Sequence, residues 1–249
     1  GVYCCQSKEL FKALKAIKIN KIKKEFYLTD IVEFFFEKGQ KIETVEAEDP
    51  MESLGINTRE DLATAEAVMR RRVLKNLMLE GVTIVDPGTT CIDADAKIGC
   101  DTVIYPYTFI ESNVRIGKNC RIGPFARIRS GTRIKDKVEI GNFTEISRTK
   151  IGSKTLMKHF SYLGDSLVGE HVNIGAGVVT ANFDGQQKNI TKIDNGAFIG
   201  SDAVLVAPVK VGKRAIVGAG SVVTKGKVIP DGSVAVGVPA KIISRGKRP

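Results

Sequence analysis

The chain has 249 residues, 43% apolar and 27% charged, enough for one large or two ordinary domains with a real core; this excludes a disordered chain or a mini-protein. No apolar run approaches the roughly 18 residues of a membrane span, and five cysteines (Cys4, Cys5, Cys91, Cys100, Cys120) lack both CxxC and Cys/His ligand spacing, so neither a disulfide framework nor a zinc site is expected and a reducing cytoplasm fits best. The formal charge of +10 points to anionic partners, whether nucleic acid, a membrane surface or phosphorylated small molecules.

The chain opens on Gly1 rather than Met and shows no signal peptide, so a fragment of a longer protein is expected. Residues 8–24 interleave seven lysines with Leu10, Phe11, Leu14, Ile17, Ile19 and Ile22, a helix-like pattern with a solvated basic face. That stretch lacks interleaved aromatic stacking residues, and neither a nucleic-acid nor a membrane partner is expected of the chain. Residues 27–36 predict a second helix and Lys41–Val45 a short strand. A third helix is signposted by Thr58 as N-cap with Asp61 three residues on, by apolar or Ala positions at Leu62, Ala65, Met69, Val73 and Leu77, and by Gly81 as its stop. The expected organisation is a partial α/β unit over 1–57, a linker helix over 58–81 and a repeat domain over 82–249.

From residue 92, ten isoleucines fall in a row at a spacing of six, from Ile92 to Ile146. The beat resumes at Leu163, Ile174, Ile193, Ile199, Leu205, Val211, Val217, Val223 and Ile229, with small residues four positions after the apolar one. A period of six is the signature of a parallel β-helix. Each hexapeptide makes one short strand and one corner, the apolar residue points inward, and Gly, Asn or Asp accepts the backbone angles of the corner. With three hexapeptides per turn, residues 92–234 supply roughly eight coils. The beat is expected to break over Ser153–Phe160 and over Thr180–Ile193, and insertions in a repeat array tend to mark a binding face.

Six runs carry a more specific signal: KEFYLTDI at 24–31, GINTR at 55–59, IGPFARIR at 122–129, GNFTE at 141–145, HFSYLGD at 159–165 and NIGAG at 173–177. In this order the chain resembles the bacterial bifunctional N-acetylglucosamine-1-phosphate uridylyltransferases/glucosamine-1-phosphate acetyltransferases. The resemblance implies a left-handed β-helix that forms a homotrimer, with acetyltransferase sites between subunits. It implies acetyl-CoA as co-substrate, glucosamine-1-phosphate as acceptor, and a role in UDP-N-acetylglucosamine supply for cell-wall or lipopolysaccharide synthesis. Residues 1–57 would be the end of a uridylyltransferase domain whose nucleotide loop and acidic metal ligand lie upstream, so that activity is expected to be absent. Mg2+ belongs to that missing half; Asn57 matches a position that helps hold it and is not expected to bind metal alone.

Acetyl transfer from a thioester to an amine needs a base for the amine proton and donors for the oxyanion. Of the two histidines, His159 matches the family's catalytic residue, whereas His171 sits where a corner residue needs no function. The resemblance assigns Arg129, Tyr162 and Asn173 to the amino-sugar phosphate, and Ala176, Asn182, Phe183, Ser201 and Ala219 to acetyl-CoA. It also exposes departures. Ser147 stands at a family Lys position that contacts phosphate, and the neighbouring Arg148 would point to the opposite face if that stretch were extended. Phe183 stands where the family usually has Tyr. Lys241, Arg245, Lys247 and Arg248 are the cations nearest a missing family Arg. The competing readings are a hexapeptide acyltransferase for another amino sugar or nucleotide sugar, and a β-helix scaffold or regulatory module of a nucleotidyltransferase. A β-helix hydratase with three histidine zinc ligands is excluded by a count of two.

Overall fold

The computed structural model describes residues 2–243. The chain divides into two compact units, residues 1–66 and 67–249.

In the first unit, α1 (Ser7–Ala16) and α2 (Asp30–Glu37) each bury one residue deeply, Ala13 and Ile31, and a single 3-10 turn spans Pro50–Ser53. The basic helix is shorter than the lysine pattern predicts. Beyond Ala16 the alternation of isoleucine and lysine favours extended backbone, and the Asn20 side chain accepts from the N–H groups of Ile22 and Lys23, which holds a turn there instead. The expected strand at 41–45 does not form: among the described residues this unit has no strand at all, so no ladder partner exists for it. The leading segment is helical rather than α/β.

The third helix, α3 (Arg59–Leu79), begins where predicted. Thr58 Oγ1 accepts from Asp61 N at 3.0 Å, and Asp61 Oδ2 accepts from Thr58 N at 2.8 Å, a reciprocal capping box with Asp in the acidic position. Gly81, at φ +90°, ends it through a hydrogen bond from Gly81 N to the Met78 carbonyl.

The second unit is mainly β. Twenty-five short strands from Thr83–Ile84 to Val234–Val236 wind into a triangular parallel solenoid of eight full turns, and a last strand, Lys241–Ile243, returns antiparallel against Val234–Val236. Each strand belongs to one of three flat sheets. We call face A the one that begins with Thr83–Ile84, face B the one with Cys91–Ile92 and face C the one with Lys97–Ile98. All ten isoleucines of the six-residue run are buried and stack on their equivalents one coil away, for example Ile104 on Ile122 and Ile122 on Ile140. Each stabilises the fold by about 1.5–3 kcal/mol relative to exposure. The small residues four positions later fill the inner corners: Thr102, Val114, Cys120, Ala126, Thr132 and Val138 are all buried. Cys120 is thus a packing residue, its thiol pKa pushed up by burial, and all five cysteines are free.

The first expected break is corrected by the structure. Residues 151–163 keep a regular beat, because Met157 takes the inward position between Ile151 and Leu163. The irregular steps are one residue short and lie on either side, from Ile146 to Ile151 and from Leu163 to Val168, so coils here rise by 17 residues instead of 18. The second break stands: Val168 pairs with Ile193, a coil of 25 residues, and the extra length forms a loop closed by a bridge between Phe183 and Lys188. Asp184 pins this loop by accepting from Gln187 N, Gln186 N, Asn189 Nδ2 and Lys225 Nζ, which holds its carboxyl far below the usual range.

Candidate active site

The edge between faces A and B carries the first group of expected residues. Met157, Ile174, Ile199 and Val217 stack in register. The residues two positions beyond them, His159, Ala176, Ser201 and Ala219, therefore form one vertical column. Three small residues stand above an imidazole, leaving a groove along the edge. The corner geometry that permits this depends on glycine: a Cβ on Gly175 would lie 2.6 Å from Ser201 N, and one on Gly141 would fall onto the Lys158 carbonyl beneath His159. His159 is exposed, and its ring makes no hydrogen bond to any described residue.

An open cleft of about 380 Å3 lies at this edge, lined by His159, Asn173, Ala176 and Ser201 together with Lys158 and Phe198. Asn173 points outward from face A between Leu156 and Phe198. Lys158 and Phe198 were missed in the sequence; Phe198 could have been found from the rung pairing with Asn173. Lys158 is ion-paired to Glu139 at 2.9 Å. Next to the cleft, an exposed aromatic stack descends the same edge: Tyr107 on Phe125, ring centroids 4.8 Å apart, and Phe125 on Phe143, 5.0 Å apart.

The second group lies at the other side of face B. Arg129, Ser147 and Gly164 share one rung position, and Arg148, Asp165 and Asn182 the next. Tyr162 projects from face B between Glu145 and Val179, and a Cβ on Gly164 would meet both its hydroxyl and the Asn182 amide. Arg129 Nη1 donates to Glu145 Oε1 at 2.9 Å. Ser147 is fully buried, and its Oγ accepts from Arg148 Nη1 at 2.7 Å.

Arg148 corrects the expectation drawn from extended backbone. Its φ is +48°, so the chain turns there and the guanidinium folds back over Ser147 onto Asp165. Asp165 in turn accepts from the buried Asn182 amide, and the Arg148 guanidinium, followed by that amide, holds its carboxyl below the ordinary range. The pairing of Arg148 with Asp165 is not foreseen from the sequence.

Phe183 sits on the inserted loop, 60% exposed. His171 occupies a left-handed corner at φ +55°, as its sequence position suggests. Lys241 is exposed on the final strand; Arg245, Lys247 and Arg248 lie outside the described residues. Asn57 is in the first unit, its N–H spent on Asp61. No group of three potential metal ligands occurs among the described residues, and a lone amide does not fit Mg2+.

Comparison with known proteins agrees with this architecture. The bacterial transferase hexapeptide (six repeats) model matches residues 95–130, 113–148 and 190–225. The bifunctional protein GlmU of Thermotoga maritima is 42% identical over 279 aligned positions, covering 99% of this chain and 61% of that protein. The bifunctional protein GlmU of Acetivibrio thermocellus is 40% identical, with 95% and 58% covered. The chain thus spans about 60% of the length of the curated relatives it matches. Among solved structures, LpxA from Acinetobacter baumannii, 22% identical with a TM-score of 0.50 over 64% of this chain and 73% of its own, shares the fold. The solenoid is a left-handed parallel β-helix of hexapeptide repeats.

Proposed function

We propose, from the premise that this chain is homologous to the bifunctional GlmU proteins along nearly its whole length, that it transfers acetyl from acetyl-CoA to the amine of glucosamine-1-phosphate. The observation that carries the reading is the column of small residues rising above an unengaged imidazole. Acetyl-CoA lies along Ala176, Ser201 and Ala219 with its thioester beside His159. The amine nitrogen attacks the thioester carbonyl, and His159 takes the proton that nitrogen sheds. Ser201 lines the cleft where negative charge develops on the carbonyl oxygen and supplies the donor for it. As the tetrahedral intermediate collapses, the C–S bond breaks and the thiolate leaves, taking the proton back from the imidazolium. Asn173 orients the sugar at the same cleft.

The remaining expected ligands, Arg129, Tyr162, Asn182 and Phe183, stand away from that edge, across face B or on the inserted loop. A site assembled from one copy's A/B edge and a second copy's face B brings the two sets together, which supports a homotrimer with sites between subunits. The exposed stack of Tyr107, Phe125 and Phe143 is the apolar surface that such packing covers. A guanidinium fork suits the phosphate of the acceptor. A second reading, a different amino-sugar acceptor, is favoured by Ser147, whose burial removes it from any phosphate.

The test is thiol release from acetyl-CoA with glucosamine-1-phosphate, comparing the chain with His159→Ala. A fall of ~100-fold or more with acetyl-CoA binding retained is expected. Equal turnover by both proteins would remove His159 as the base. Turnover restored only by another amino sugar would favour the second reading, and failure to bind acetyl-CoA would leave a scaffold.

A further inference from the structure

The three faces carry charge very differently. On face C the outward residue of successive rungs is Lys97, Arg115, Arg133, Lys150, Leu167, Lys192 and Lys210, paired in register at every step. Six cations therefore share one column of seven rungs about 4.8 Å apart, interrupted once by Leu167, over a length of roughly 29 Å. All six are exposed. Like charges on adjacent strands repel, and elsewhere the molecule relieves this with acids from neighbouring rungs: Arg127 with Glu111 at 2.8 Å, Arg129 with Glu145 at 2.9 Å and Lys158 with Glu139 at 2.9 Å. On the face C column, among the described residues, only Lys210 has such a partner, Asp194 at 3.6 Å. Lys135, Lys137 and Lys154, exposed on the adjoining corner, widen the column into a stripe.

We propose that face C is a docking surface for a lipid bilayer bearing anionic headgroups. The shape of the column decides the kind of partner. Cations stacked in register on a rigid solenoid all reach one plane together, and a headgroup layer meets every one of them. A duplex laid along the column presents each phosphate strand only once per turn of about 34 Å, so most of these cations would face a groove. A single strand needs aromatic platforms for its bases, and this face offers only Leu167 and Val228 between its cations and at its end. In a three-sided solenoid face C lies opposite the A/B edge that holds His159, so docking leaves the catalytic cleft open. The contact is peripheral and independent of any membrane-spanning segment; no helix of the described residues is long and apolar enough to cross a bilayer.

The experiment is co-sedimentation of the full chain with vesicles of phosphatidylcholine alone or with phosphatidylglycerol, at low and high salt. Binding is expected only to the anionic vesicles and to weaken with salt. The triple variant Arg115→Ala, Arg133→Ala, Lys150→Ala is expected to bind about 100-fold more weakly, at about fivefold per cation, while Arg121→Ala on face A binds as the parent does. Thermal melting and thiol release by the triple variant confirm that fold and catalysis are intact, so docking and the acetyl-transfer reading stand or fall separately. Equal binding to neutral vesicles, no binding to either, equal loss in Arg121→Ala, or tighter binding of duplex DNA than of anionic vesicles each overturns the proposal.

Discussion

Arg148 Nε donates to Asp165 Oδ1 at 2.6 Å while Asn182 donates to the other carboxylate oxygen, so one side chain ties together three successive coils. Asn182 is only 7% exposed. Asp165→Ala leaves that amide without its acceptor and the guanidinium without its counter-charge. A loss of about 1–3 kcal/mol is expected, read as a Tm lower by about 2–4 °C per kcal/mol. Asp165→Asn, which keeps the shape but not the charge, is expected to fall between the parent and the Ala variant in thermal melts.

The same pair sets an acid limit. Because the folded-state pKa of Asp165 lies below its unfolded value, its stabilisation is complete above the unfolded carboxylate pKa, about 3.9, and is lost as pH falls through the lower folded value. From pH 5 to 8 this group contributes no slope. Melting curves between pH 3 and 7 are expected to show a shallower acid limb for Asp165→Ala than for the parent.

Placing Lys at Ser147 looks from the sequence like restoring a phosphate contact and lowering the acceptor KM. The structure reverses that expectation. Ser147 is fully enclosed and accepts from Arg148, so Ser147→Lys must either bury an ammonium or dislodge the Arg148–Asp165 pair. The variant is expected to melt earlier and to show no improvement in KM for glucosamine-1-phosphate. A stable variant with a lower KM would show that a lysine reaches solvent there.

Gly141→Ala places a methyl on the Lys158 carbonyl, beneath the corner that presents His159. Overpacking of this kind costs about 1–3 kcal/mol. Thiol release is expected to fall more than acetyl-CoA binding does, because the base moves while the small-residue column above it stays. Gly55→Ala, in the first unit and away from the cleft, adds a methyl that meets only the Asn57 amide at 3.8 Å and is the control.

The solenoid was legible because a six-residue beat has one structural meaning, and every isoleucine of the run is indeed inward. The capping box at Thr58 and Asp61 was equally plain. The strand expected at 41–45 and the overlong first helix fail for a shared reason: both depend on partners or side-chain caps that local periodicity does not contain. At the site, His159, Asn173, Ala176 and Ser201 share one cleft. Arg148 was misread because its direction follows from a left-handed φ, which an extended-strand assumption cannot give. The charge column on face C was present in the sequence as one hexapeptide position, but it becomes a surface only when coils of 17, 18 and 25 residues are laid over one another.

The irregular coils have a consequence for assembly of the chain. A run of interchangeable isoleucines at equal intervals would bury as much apolar surface if the winding slipped by a whole turn, and nothing in the pattern itself forbids that error. The two shortened steps and the 25-residue coil act as index marks. Slippage past them puts a corner where a strand belongs and turns isoleucines out into water, so the departures from perfect repetition select a single frame out of many near-equivalent ones.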